Sequence, residues 1–320
     1  MRHGDPMNHR QPGFRLSVVV PCFNEGEHLA LFIEKLAQTV EGITPNYEII
    51  IVDDGSSDQT GAVAVKLLDH FPMRFITLSR NFGKEAALMA GMDHADGDAV
   101  LLLDADFQHP LEMVPQMSAL WFGGVDMVYG VIKSRHAEGY LKRLGTRLFY
   151  SLMSTSQVKI PVNAGDFRWL DKKVCKALTE LKERGRFMKG LYAWVGFNSV
   201  PLEFIPNPRY SGSSSFNTGD LFKLGIAGLT AFTNLPLRLW TLLGLVISMT
   251  AIIYGCYVVL DTVFFGNPTS GWPTLTVSLM FFSGVQLISI GVLGEYIGRI
   301  FEETKARPLY VIAHDQKSFD

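Results

Sequence analysis

AVLLLDADFQHP, residues 99–110, decides the fold. Ala99 to Leu103 are all apolar and run directly into Asp104-Ala105-Asp106. An apolar run that short reads as a strand buried on both faces. Its carboxylates then fall at the C-terminal end of a strand, the edge at which open α/β sheets bind ligands. The same figure recurs upstream. Residues 16–20 form a largely apolar, β-branched run ending at Pro21, and residues 47–52 read as a second buried strand, stopped by Asp53-Asp54-Gly55. Between them, residues 27–40 place Leu29, Phe32, Ile33, Leu36 and Val40 at helical spacing. Residues 60–68 and 84–94 read as helices and residues 74–78 as a strand. This alternation implies right-handed βαβ crossovers and a mostly parallel α/β sheet.

The sequence of 320 residues is 48% hydrophobic and 19% charged, with a mean hydropathy of +0.17. The apolar excess collects in the last third. A net charge of −2 lacks the basic field that bulk nucleic-acid binding needs, so no nucleic-acid partner is expected. Cys22, Cys175 and Cys256 are too far apart for a disulfide framework or a CxxC metal site. The first residues are polar, without the apolar segment of a signal peptide, and read as a loose arm.

Residues 237–260 carry no charge after Arg238, and the only charge in residues 274–297 is Glu295. Each stretch exceeds the roughly 20 residues that cross a bilayer core. The loop between them, residues 261–273, has no Lys or Arg, whereas Arg238, Arg299, Lys305 and Arg307 flank the pair. The positive-inside rule therefore puts both ends of a transmembrane hairpin in the cytoplasm. Trp240 and Trp272 suit the interfaces. The other reading is a buried hairpin in a large soluble core. Before the first stretch, Phe222, Ile226, Leu229 and Phe232 recur at helical spacing. They mark an amphipathic helix that either lies among the headgroups or packs on the α/β domain.

Pro21-Cys22-Phe23-Asn24-Glu25, Asp53-Asp54-Gly55-Ser56 and Asp104-Ala105-Asp106 each follow a predicted strand. Three acidic loops at one sheet edge repel one another unless a cation or a donor-rich ligand joins them. A divalent metal with a diphosphate does so, because Mg²⁺ takes one or two carboxylates plus phosphate oxygens. Taken singly, each loop could equally be a turn. Lys84 and the cluster Lys133, Arg135, Lys142, Arg143 and Arg147 offer cations for donor and acceptor phosphates. Lys142, Arg143 and Arg147 would serve as well on a solvated helix face.

From about residue 16 to residue 312 the chain resembles glycosyltransferase family 2, and within it the polyisoprenyl-phosphate hexose synthases of the bactoprenol glucosyltransferase type. The resemblance is carried by LSRNFGKEAALMAG (78–91), DADFQHP (104–110), AGDFRWLDKKV (164–174), RFMKGLYAWVGF (186–197) and GVLGEYIGRIFEETKARPLYVI (291–312). It implies a GT-A nucleotide-sugar fold, an inverting mechanism, a Mg²⁺ or Mn²⁺ cofactor and a membrane-lipid acceptor. It places Pro21, Phe23, Glu25, Asp53 and Asp54 around base and ribose. Asp104, Asp106 and Gln108 match the metal and diphosphate loop, with Ala105 between them on the donor. Asp166 matches an acidic residue at the acceptor edge, and Arg209 a loop that closes on the donor. His109 stands where relatives often carry a second acid, and Ser215 where the closing loop usually has Lys.

The domains expected are a flexible arm (1–14), a catalytic domain (15–215), an interfacial helix (216–236), two transmembrane helices (237–298) and a cytoplasmic tail (299–320). The expected reaction moves one sugar, glucose first, from a UDP-sugar to undecaprenyl phosphate at the cytoplasmic face of a bacterial inner membrane. N-acetylhexosamine, aminoarabinose and dolichyl phosphate are the alternatives, and a homo-oligomer is expected. Arg135 is the expected contact to the lipid phosphate. A processive polysaccharide synthase would carry Q-x-x-R-W, and Arg238-Leu239-Trp240 lacks the Gln. A non-catalytic lipid-carrier subunit would not need Asp104, Asp106 and Asp166, and a transporter would need more than two spans.

Overall fold

The computed structural model describes residues 10–133, 161, 164–181, 183–184, 186–207 and 271–318, with scattered positions between 244 and 264. The sheet begins with β1 (Leu16–Cys22), β2 (Tyr47–Asp53), β3 (Met73–Leu78) and β4 (Ala99–Leu102), each strand but the last leading into a helix before the next. Those helices are α1 (Leu29–Glu41), α2 (Thr60–Leu67) and α3 (Lys84–Asp93). After them come α4 (Val114–Phe122), β5 (Met127–Ile132), β6 (Ala164–Asp171), α5 (Lys172–Glu180), α6 (Met188–Trp194) and β7 (Ser199–Phe204). A long helix, α7 (Trp272–Thr304), and a last strand, β8 (Ile312–Lys317), end the described chain.

The strands stand in the order β7-β5-β6-β4-β1-β2-β3-β8. β4-β1-β2-β3 pair in parallel, as their apolar runs require, while β6 runs antiparallel to both β4 and β5. Side chains alternate across the sheet. Val18, Ile49, Leu101, Phe167 and Trp169 therefore join α1, α2 and α4 in one core. Val19, Ile50, Val100 and Leu170 join α3, α5 and α6 in the other. Helix α3 lies so close to β1 that a Cβ on Gly91 would meet Val19 Cγ1 at 2.2 Å. Because α1 and α3 cover opposite faces, the chain reverses its order between β1 and β4. A topological switch point opens there, over the C-terminal strand ends.

Two boundaries differ from the sequence reading. The arm expected through residue 14 is anchored from Arg10 onward. Arg10 is buried and pairs with Asp126 at 2.7 Å and Asp171 at 2.8 Å, and Phe14 packs 4.8 Å from the Trp121 ring. An isolated cation in a polar segment gives no periodic signal, so the sequence alone does not reveal the anchor. Within the segment expected as a tail, β8 adds antiparallel to β3, clamped by a two-bonded Arg74–Asp315 pair. Arg184 meanwhile donates to the carbonyls of Glu303 and Arg307, so the chain leaving α7 lies along the α/β domain.

Among the described residues one stretch, Phe281–Thr304, is long and apolar enough to cross a membrane, and none of its most apolar window is buried. Leu287 and Ile290 are 70% and 62% exposed. The described positions between 244 and 264 are helical, and Met249, Ile253 and Tyr257 among them are exposed. The interfacial helix expected at 216–236 lies outside the described residues.

Candidate active site

Four loops meet at the switch point, and hydrogen bonds stitch them together. Asn24, after β1, takes a left-handed φ of 57°. Its N–H donates to Ser56 Oγ at 2.8 Å, and its Oδ1 accepts from Ser57 N–H at 2.9 Å. Asp53 accepts from Ser56 N–H at 2.9 Å, which folds its loop back on itself. Gly55, at φ 73°, passes so near the Arg80–Asn81 backbone that a Cβ would stand 2.7 Å from Arg80 C. Both oxygens of buried Asp54 accept backbone donors, Phe82 N–H at 2.7 Å and Gly83 N–H at 2.8 Å. The carboxylate expected on the nucleotide thus shapes the turn that starts α3 and carries Lys84.

Lys84 is the centre of the charge arrangement. Its Nζ lies 2.7 Å from Asp104 and 3.1 Å from Asp166, joining the loop after β4 to the start of β6. Burial pushes the Asp166 carboxyl up, but Lys84 and Lys189 outweigh it and hold it below the usual carboxylate range. Asp166 is therefore ionised at neutral pH and cannot supply a proton. Phe107, at φ 58°, turns the chain sharply after Asp106, whose Oδ1 accepts from Gln108 N–H at 3.0 Å. A left-handed phenylalanine is uncommon, and such backbone outliers gather at functional sites. Asn207 closes over this loop through Gln108 O and Phe107 O.

His109 stacks on Phe167 with centroids 4.8 Å apart, its Nδ1 3.3 Å from the Asp104 N–H. Burial lowers its pKa against the pull of Asp104 and Asp106, so the ring is neutral. Its surroundings, Asp104, Lys84, Asp106 and Asp166, mark the charged floor of the site. At the mouth, Phe23 is 46% exposed beside Pro21 and Glu25. Glu25 contacts His28 at 2.6 Å; burial raises its pKa and His28 opposes the rise.

The structure thus brings together Pro21, Phe23, Glu25, Asp53, Asp54, Lys84, Asp104, Asp106, Gln108 and Asp166. Ala105 is buried in the core and can offer a ligand only its backbone. Lys133, expected on the acceptor phosphate, pairs at the surface with Glu203 at 3.5 Å. Arg135, Lys142, Arg143, Arg147 and Arg209 lie outside the described residues. Among the described residues no three His, Cys, Asp or Glu side chains form a ready-made metal cage. Asp104 and Asp106 do offer hard oxygens, the donors Mg²⁺ and Mn²⁺ take when substrate phosphates complete the shell.

Glycosyl transferase family 2 matches residues 17–179. The chain is 42% identical over 300 residues to the bactoprenol glucosyl transferase of Shigella phage SfX, covering 93% of this chain and 98% of that one. The chain belongs to glycosyltransferase family 2. A prophage bactoprenol glucosyl transferase homolog of Escherichia coli K12 is likewise 42% identical, over 305 residues, covering 95% of this chain and all of its own. The GtrB C-terminal hairpin matches residues 235–300, where the exposed apolar helices lie, and associates this glycosyltransferase with a membrane. A crystal structure of glucosyl-3-phosphoglycerate synthase from Mycobacterium tuberculosis, in complex with Mn²⁺, UDP and phosphoglyceric acid, is similar at a TM-score of 0.48. It is 20% identical and covers 67% of this chain and 75% of that one.

Sequence reasoning missed several groups behind the glycosyltransferase site. Lys189 on α6 acts together with Lys84 to lower the pKa of the Asp166 carboxyl. Glu85, beside Lys84, accepts Met188 N–H at 3.1 Å, and burial pushes its carboxyl up to about 7. Arg168 and Tyr192 are buried next to them. All but Glu85 lie in the two stretches beginning at Ala164 and Arg186, whose resemblance to the family was plain while their individual roles were not.

Proposed function

We propose that this glycosyltransferase moves glucose, with inversion, from UDP-glucose to undecaprenyl phosphate on the cytoplasmic face of the bacterial inner membrane. The observation that carries the reading is Lys84 bound to both Asp104 and Asp166. It ties a donor-side carboxylate to an acceptor-side one in a chain that aligns nearly throughout with bactoprenol glucosyl transferases.

In this reading Phe23 offers a face to the uracil, and Glu25 and Asp53 accept from base or ribose hydroxyls. Asp104 and Asp106, with Gln108 beside them, would hold Mg²⁺ or Mn²⁺, which when bound offsets the charge of the departing diphosphate. A phosphate oxygen of the acceptor forms a bond to the anomeric carbon from the face opposite the leaving group. The bond from that carbon to UDP breaks, and UDP keeps the electron pair. A phosphate monoester is anionic near neutral pH and needs little help from a base. Asp166, held ionised, orients Lys84 and helps position the reacting groups. Arg209 and the 133–147 segment are proposed to supply further cations to donor and acceptor.

Membranes containing the chain, given UDP-glucose and undecaprenyl phosphate, should yield undecaprenyl-phosphate glucose, identified by mass spectrometry. Transfer to a water-soluble sugar with no response to the lipid would sink the reading. Two spans with both ends cytoplasmic are also proposed, from the lysine and arginine asymmetry. A cysteine placed at Asn267, in a chain lacking Cys256, should react with an impermeant maleimide in intact cells. One at Lys317 should react only after permeabilisation, and the reverse pattern would invert the topology.

A further inference from the structure

The C-terminal end of α7 is capped from outside the helix. A helix leaves its last carbonyls without intrahelical partners, and that end carries a partial negative charge. Arg184, in the connector between α5 and α6, answers both. Its Nη1 donates to Glu303 O at 3.0 Å and its Nε to Arg307 O at 2.6 Å. In return, Glu303 Oε1 accepts the Arg184 N–H at 2.7 Å. Between the two carbonyls Ala306 takes a left-handed φ of 51°, and the turn brings both to one guanidinium. A non-glycine residue holds such a backbone only where its surroundings fix it.

The other side of this cap leads to the acceptor edge of the site. Arg186 braces the connector, donating to Glu183 O at 3.1 Å, to Leu178 O at 3.3 Å and to Leu181 O. Met188 N–H then donates to Glu85, the neighbour of Lys84, at 3.1 Å. Lys189 follows, one of the lysines whose charges outweigh burial at Asp166. Beyond the turn, Tyr310 Oη donates at 2.7 Å to Asp93, the last residue of α3, the helix that Lys84 begins. The end of α7 is thus tied to the two elements that carry Lys84 and Lys189.

Glu303 lies in the last turn of the stretch long and apolar enough to cross a membrane, so Arg184 grips α7 where such a span meets water. A lipid phosphate keeps the depth that the bilayer gives it, and only the height of the enzyme can bring the two together. A misplacement of about 1 Å can lower a rate about a hundredfold. We propose that Arg184 is a positioning residue for the membrane-borne acceptor, its grip on α7 fixing the height of the Asp166 edge over the headgroup plane. The proposal rests on the reading of a polyprenyl phosphate as acceptor and does not depend on which sugar is transferred.

In the full chain in nanodiscs, Arg184→Ala should raise the apparent KM for bilayer undecaprenyl phosphate roughly tenfold or more. The KM for UDP-glucose, and transfer to a short-chain, water-soluble isoprenyl phosphate, should stay unchanged. Arg184→Lys keeps the charge but not the planar fork, and should recover only part of the loss. Glu303→Ala spares both carbonyls, so it should raise the lipid KM by less; it decides the matter if Arg184→Ala does not fold. A second readout needs no transfer. A dye at Lys66→Cys, on α2 in a chain lacking Cys256, reports energy transfer to a dye on the headgroups, and Arg184→Ala should broaden its distribution. An unaltered chain inactive toward the lipid would refute the acceptor reading, and the energy transfer would still judge the grip. An unchanged distribution, or equal losses with membrane-borne and dissolved acceptors, would overturn the role of Arg184.

Discussion

Asp106→Asn is expected to lower turnover by about a thousandfold or more, some 4 kcal/mol of lost transition-state stabilisation, with almost no change in melting temperature. An amide keeps the oxygen that accepts Gln108 N–H, so the turn after Phe107 survives. What it loses is the negative charge that a hard divalent cation requires. Asp54→Asn is the informative contrast. Its two oxygens accept two backbone N–H groups, and an amide would turn a donor toward one of them. That change should lower stability and activity together, because the turn carrying Lys84 depends on it. Kinetics with Mn²⁺ alongside a thermal melt of each variant checks both. Near-normal turnover in Asp106→Asn would move the donor site away from this loop.

The part of the fold that was legible is the part whose strands are buried on both faces. The runs 18–20, 49–52 and 99–103 are continuous and apolar because α1 and α3 cover opposite sides of the parallel core. The acidic residues ending them were visible for the same reason, since a strand stops where the carboxylates begin. Strand β8, IAHDQK, is the opposite case. It sits at an exposed edge and is held by backbone pairing and the Arg74–Asp315 clamp, neither of which leaves a hydrophobic pattern. Within the site, residue type alone did not separate Asp53 from Asp54, although the fold ties both oxygens of Asp54 to backbone donors and only Oδ1 of Asp53. Lys84 was expected near phosphates, but its bridge between Asp104 and Asp166 depends on α3 crossing behind β1. Arg168 and Tyr192 lie in two separate stretches, and only the three-dimensional packing shows that, among the described residues, Arg168 Nη2 and the Tyr192 hydroxyl lack hydrogen-bond partners.

Arg10→Ala should cost about 3–5 kcal/mol of stability, the usual consequence of removing one partner from a buried charge pair. Arg10 is 3% exposed at its side chain and Asp171 fully buried, so the carboxylate left behind cannot recover water. Asp171 keeps two other donors, Trp121 Nε1 at 2.8 Å and Lys173 N–H at 3.1 Å, which argues for the lower end of the range. Arg10 also donates to Trp121 O at 2.8 Å, and its loss loosens the chain leading to Phe14. These groups gather where β6 ends and β4 begins, since Ala99 pairs with Asp171. That edge is opposite the one bearing Asp104 and Asp106. Turnover per folded molecule should therefore be unchanged at a temperature where both proteins are folded, while the denaturation midpoint falls. The double variant Arg10→Met with Asp171→Asn removes both charges and should recover part of the loss. A midpoint shift equivalent to less than about 1 kcal/mol in Arg10→Ala, the worth of an exposed ion pair, would show that the segment before β1 is not anchored by this pair.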